Sequence, residues 1–117
     1  MTIEAFFQPQ SVAVIGASTN ATKLGHAVVA NLIDGGFLQD GRAIYPINPK
    51  ASEILGLKAY PSVLDVEDSI DLAIIVIPYP HVPQALRICG EKGIQSVIVI
   101  SAGFREAGME GLERERE

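Results

Sequence analysis

A single cysteine in 117 residues excludes an internal disulfide and any cysteine-rich zinc site. Basic residues are few: 9 Lys and Arg stand against 14 Asp and Glu, and the net charge of −5, with no basic cluster, offers nucleic acid no electrostatic footing. Wholly apolar runs are of strand length, far below the roughly 20 residues of a spanning helix. Met1-Thr2-Ile3-Glu4 has neither a basic start nor an apolar stretch behind it, so no signal peptide is expected and a cytoplasmic setting is. His26 and His81 have no partner at metal-ligand spacing, which leaves no metal site to propose. Internal repeats and low-complexity segments are missing too.

What is present is a chain of 48% hydrophobic residues punctuated by eleven glycines and seven prolines, the composition of one α/β domain spanning residues 1–117 with many tight turns. Phe6 and Phe7 precede Pro9 in a lead-in whose aromatics are expected on a sheet. Residues 11–15 form a short β-branched run that Gly16 breaks. From about Thr22 the spacing turns helical: Leu24, Val28, Val29, Leu32 and Ile33 make one stripe, and Gly35-Gly36 ends it. A second strand is expected at about residues 42–47, a small strand around Lys58-Ala59-Tyr60, and a strand buried on both faces at 71–77. Val82, Ala85, Leu86 and Cys89 share a helical face within 81–91, with Cys89 expected as an inert core thiol. Residues 96–100 read as another buried strand. The stretch through Met109 and Leu112 to Glu117 reads as the start of a helix that stops unfinished, and its alternating charges as a solvated face.

Strands alternating with helices at this spacing imply βαβ units and a parallel sheet with right-handed crossovers. The strand ends at Gly16, Asn48, Pro78 and Ser101 then share one edge, where open α/β sheets bind ligands. The first of these turns, strand to small residues to helix, suits a phosphate, because backbone N–H groups and the positive helix end converge there. Ser18, Thr19 and Thr22 add hydroxyls. The dinucleotide fingerprint G-x-G-x-x-G is absent, however: Ser18 stands where a second glycine would, and the next glycine is Gly25. On this pattern alone, a phosphate-binding turn and an ordinary strand-to-helix connection are both open.

The second strand end narrows the ligand. An NAD-binding domain places an Asp or Glu there for the ribose hydroxyls, whereas this chain has Asn48-Pro49-Lys50, a cation and no carboxylate. That cation argues for an extra phosphate, as carried by NADP or coenzyme A. Pro78 and Pro80 could merely end a strand and open a helix, but with Tyr79 at the ligand edge they are candidates for contact.

Taken together, Val14-Ile15-Gly16-Ala17-Ser18, the segment Ile44-Tyr45-Pro46-Ile47-Asn48-Pro49-Lys50, Gly56-Leu57-Lys58-Ala59-Tyr60-Pro61-Ser62, Ile77-Pro78-Tyr79-Pro80 and Ile100-Ser101-Ala102-Gly103-Phe104 resemble the N-terminal CoA-binding domain of NDP-forming acyl-CoA synthetases. That family includes the ADP-forming acetyl-CoA synthetases and, more distantly, the α subunit of succinyl-CoA synthetase. The resemblance covers essentially the whole chain. It implies a Rossmann-like open, mostly parallel sheet with helices on both faces, and coenzyme A lying across the C-terminal edge. By the same resemblance Gly16, Ala17 and Ser18, with Lys23 nearby, form the first nucleotide-contacting loop. Asn48, Pro49 and Lys50 form the second, where the lysine neutralises a CoA phosphate. Ile77, Pro78, Tyr79 and Pro80 lie against CoA, and Ser101, Ala102 and Gly103 are nearest the catalytic end. Succinyl-specific members have Thr-Glu-Gly at that last loop, so Ser101-Ala102-Gly103 favours the acetyl or broader acyl branch.

The resemblance further implies that the chain is a fragment of a longer one and is not catalytic alone. Its partners would be a domain bearing the phosphorylated histidine and an ATP-grasp domain or subunit, and the whole acid–thiol ligase would work through an acyl phosphate. Two alternatives stand beside this reading: a non-catalytic CoA-sensing module, freestanding or fused to an acyltransferase, and an NADP-binding oxidoreductase domain.

Overall fold

The structure, a computed structural model, describes residues 8–100. Four strands form one parallel sheet: β1 (Ser11–Ile15), β2 (Ala43–Ile47), β5 (Leu72–Ile75) and β6 (Ser96–Val99), in the spatial order β2-β1-β5-β6. Helix α1 (Leu24–Asp34) connects β1 to β2, and helix α2 (Val82–Lys92) connects β5 to β6. Val12, Val14, Ile44, Leu72 and Ile74 pack with Val29 of α1, while Ala13, Ile47, Ala73 and Ile75 pack with Ala85 and Cys89 of α2. The two sets alternate along each strand, as a period-two backbone requires when both faces are covered. Helices therefore lie on both faces, as expected.

The segment after β2 is richer than a single small strand. β3 (Glu53–Ile54) and β4 (Leu57–Lys58) form an antiparallel hairpin, and beyond it Tyr60 bridges in parallel to Ile47. The Tyr60 N–H donates to the Pro46 carbonyl at 2.9 Å and the Asn48 N–H to the Tyr60 carbonyl at 2.9 Å. A residue's N–H and C=O leave a strand on the same side, so the N–H that Pro46 lacks would have faced this thinly paired flank, where its loss is cheap.

Three expectations change in the structure. The 71–77 run pairs as a strand only over Leu72–Ile75, although burial continues through Val76. The 96–100 strand is the sheet's edge rather than buried: Ile98, Val99 and Ile100 are 36–45% exposed, because no described strand lies beyond β6. Leu86 and Leu24 point outward, and Ile88 takes Leu86's place in packing. Phe6, Phe7 and the helix start after residue 104 lie outside the described residues. Cys89 is buried, and burial pushes its thiol up from the ordinary value, in keeping with an inert core group.

At the N-terminal end of the sheet, Ser11 ties β1 to the segment entering β5. Its hydroxyl donates to the Ser69 carbonyl at 3.1 Å and accepts from the Asp71 N–H at 2.9 Å, while the Gln10 N–H donates to Asp71 at 2.8 Å. On β2, the Tyr45 hydroxyl donates to Asp68 Oδ2 at 3.1 Å and its ring meets Tyr60 edge-on at 5.9 Å. Burial first, then the hydrogen bond and charge of Asp68, raise the Tyr45 phenol above its ordinary 10.0. The folded chain thus holds this proton more tightly than the unfolded one. The resulting stability is complete below pH 10 and is lost as pH climbs through the raised value. Urea unfolding across the alkaline range should show this fall, and Tyr45→Phe should lack that component of it.

Candidate functional site

Because the sheet is parallel, the ends of β1, β2 and β5 open on the same edge. The chain leaves β1 for β2 on one side and reaches β5 on the other, so the loops after β1 and β5 diverge between them, which is the switch point of an open α/β sheet. Gly16 sits there with φ +97. A Cβ on it would lie 2.0 Å from the Val76 carbonyl oxygen and 2.9 Å from Ile77 Cγ2. Only glycine fits both the dihedral and the space.

Gly25, in the first turn of α1, is the residue that sequence reasoning left without a role. A Cβ there would stand 1.9 Å from the Gly16 carbonyl oxygen, so the helix start is pressed directly onto the turn. This does for helix–strand packing what the third glycine of a dinucleotide fingerprint does, at a spacing of nine residues that no standard pattern covers. The available signal was a lone glycine just where helical spacing begins.

Between the two glycines the loop is held by its own side chains. The Asn20 N–H donates to Ser18 Oγ at 3.0 Å, and Asn20 Oδ1 accepts from the Thr22 N–H at 2.9 Å and the Thr22 hydroxyl at 2.7 Å. Thr22 therefore spends its proton inside the loop instead of offering it outward. Lys23 is the N-cap of α1, with extended dihedrals and no side-chain cap hydrogen bond, so its own side chain does not satisfy the positive end of the helix.

The second loop is locked onto the first. The Gly16 N–H donates to the Ile47 carbonyl at 3.2 Å. Asn48 Nδ2 donates to the Ala17 carbonyl at 2.9 Å, and Asn48 Oδ1 accepts from the Lys50 N–H at 2.8 Å and the Ala51 N–H at 2.9 Å. Pro49 and Lys50 project from this turn and are exposed. The third loop joins through the Val76 N–H, which donates to the Ile15 carbonyl at 2.7 Å. After it, Ile77 is half-buried against the α2 face of the core, and Pro78, Tyr79, Pro80 and His81 are exposed over a single 3-10 turn (Tyr79–His81) that leads into α2. The fourth expected loop, Ser101, Ala102 and Gly103, lies outside the described residues.

The charges sort by edge. The loops at residues 16–23, 48–52 and 76–81 contain Lys23, Lys50 and His81 but no Asp or Glu, while Asp65, Glu67, Asp68 and Asp71 crowd the segment that enters β5 from the opposite end. Lys23 and Lys50 are both exposed, and among the described residues neither ammonium is engaged. In a chain of net charge −5, this edge is a local cationic rim beside an uncapped helix start, a donor set that suits phosphate groups. No group of His, Cys, Asp and Glu among the described residues could hold a metal ion.

Residues 10–116 match the family described as CoA binding domain. Among curated proteins, the α subunit of an ADP-forming acetate–CoA ligase from Pyrococcus furiosus is 47% identical over all of this chain, which spans 26% of that protein. An ADP-forming acetate–CoA ligase from Methanocaldococcus jannaschii is 53% identical over 90% of this chain, corresponding to 14% of its own length. Among solved structures, a dinucleotide-forming acetyl-coenzyme A synthetase from Candidatus Korarchaeum cryptofilum, in complex with phosphate and ADP, superposes with a TM-score of 0.82 at 42% identity, covering 97% of this chain and 24% of that one. The chain thus spans about a quarter or less of the length of these ligases.

Proposed function

The chain belongs to the CoA-binding domain family, and from that premise we propose that it is the coenzyme A-holding part of a longer ADP-forming acyl-CoA ligase, with CoA laid across the C-terminal edge of the sheet. The observation that carries the placement is the carboxylate-free rim, where Lys23 and Lys50 flank the Gly16 turn and the uncapped start of α1. In this arrangement Gly16 makes the turn, its own N–H held by the Ile47 carbonyl, while Ala17, Ser18 and the start of α1 meet phosphate oxygens with backbone N–H groups. Lys23 and Lys50 supply counter-charge, and Ile77, Pro78, Tyr79 and Pro80 form the less polar wall. Ser101, Ala102 and Gly103 complete the site on the side of the chemistry. CoA itself would bring the thiol that becomes the thioester.

Residues 1–117 then form one domain, and the remaining steps fall to further domains or a partner subunit, the phosphohistidine-bearing and ATP-grasp parts. The strong identity to acetate–CoA ligases and the small share of them that this chain covers both support that division. They favour it over a CoA-sensing module or an NADP-dependent oxidoreductase domain. A cytoplasmic setting is part of the same proposal. Among the described residues no helix is long and apolar enough to cross a membrane.

The test is thermal unfolding with CoA, dephospho-CoA, NADP and NAD, each alone. CoA at about 100 times its Kd should stabilise the chain by about 2.7 kcal/mol, dephospho-CoA less, and NAD not at all. Stabilisation by NADP without any by CoA would overturn the reading.

A further inference from the structure

Asn48 is a side chain that joins two of the candidate ligand loops. Its carboxamide makes three hydrogen bonds, one to Ala17 of the first loop and two to the backbone of its own. Accepting from two N–H groups fixes which end of the amide is oxygen, so the Nδ2 end must face Ala17. Each bond has a local consequence. The pair on Oδ1 closes an Asx turn that sets the direction in which Lys50 leaves the chain. The bond to the Ala17 carbonyl orients the Ala17–Ser18 peptide, and because that peptide is trans its Ser18 N–H faces away from Asn48. The oxygen of the amide, with both acceptor positions used, has nothing left to offer a ligand donor.

We propose that Asn48 is a positioning residue: by bridging Ala17 to the Lys50 turn it holds the lysine charge and the Ser18 N–H in one fixed relation, and CoA affinity depends on that relation. This rests on the CoA reading above and adds to it a coupling between residues 31 positions apart. Neither Lys50 nor the glycine turn could supply it alone, since Lys50 is an exposed side chain on a flexible stem.

The experiment is a double-mutant cycle in the 117-residue chain, Asn48→Ala, Lys50→Ala and both together, with CoA affinity measured calorimetrically at low and high salt. Asn48→Ala alone should weaken CoA about tenfold, the scale of one or two lost hydrogen bonds that order a site. In the Lys50→Ala background the same change should cost only about threefold, since the lysine it positions is gone. Asn48→Ala should also flatten the salt dependence of binding toward that of Lys50→Ala, although it removes no charge. A purely structural asparagine would lower thermal stability, leave the salt dependence alone and give additive losses, and that result overturns the proposal. If Asn48→Ala fails to fold, Asn48→Ser replaces it in the same cycle, since its hydroxyl can still close the turn but cannot reach Ala17. A wild-type chain that does not bind CoA at all removes the functional reading as well, whereas tight CoA binding with additive losses removes only the coupling.

Discussion

Gly16→Ala should lower the stability of the fold by about 3–5 kcal/mol, read as a drop in the urea midpoint at unchanged slope. Two costs add. The new Cβ would stand 2.0 Å from the Val76 carbonyl oxygen, a backbone atom of the neighbouring loop that cannot swing aside, and the residue would hold a φ of +97 that alanine resists. Gly25→Ala has no dihedral penalty, since the residue is helical, yet its Cβ would fall 1.9 Å from the Gly16 carbonyl oxygen. Pushing α1 off the turn should cost about 2–4 kcal/mol, in the upper range for overpacking. Gly90→Ala is the control. It also lies within a helix, nothing stands within 4 Å of its would-be Cβ, and it should stabilise by about 0.5–1 kcal/mol through helix propensity alone. Equal effects at Gly25 and Gly90 would show that the helix start is not pressed on the turn.

Lys50→Ala should weaken CoA by about 1.5–3 kcal/mol, the range for a hydrogen bond to a charged group. Lys50 is exposed at the edge proposed for the ligand and unengaged among the described residues, so its removal should leave folding almost unchanged. The loss should shrink as salt rises, because screening already weakens an exposed charge pair in the unsubstituted chain. Calorimetry on both proteins at two salt concentrations measures this. An unchanged affinity would move the phosphate to Lys23, the other cation of the rim.

Much of the architecture could be read from the order of residues because it is written in local periodicity. The β-branched run at 11–15, the helical stripe from Leu24 and the apolar run from Leu72 each announce an element whose type depends on its own neighbours. Their alternation implies a parallel sheet, and a parallel sheet puts Gly16, Asn48 and Pro78 on one edge whatever the side chains do. The cation after β2, where an NAD site would carry a carboxylate, is likewise a fact of sequence. Exposure at β6 was less legible. A run such as Val97-Ile98-Val99-Ile100 looks the same whether the strand lies inside a sheet or at its edge, and only the strand order decides between them.

The amino-acid order by itself thus determined the fold class, the edge proposed for the ligand and the cations on it, since each follows from patterns within a few residues or from chain direction alone. Tertiary structure decided which residues tie that edge together. Gly25 matters because α1 approaches Gly16 too closely for any Cβ. Asn48 matters because folding brings the Ala17 carbonyl within 2.9 Å of its amide. The Thr22 hydroxyl is turned into the loop because it donates to Asn20 Oδ1. Contacts between helix and turn, and across 31 positions of chain, depend on how elements pack, and no local pattern of residue types encodes a distance.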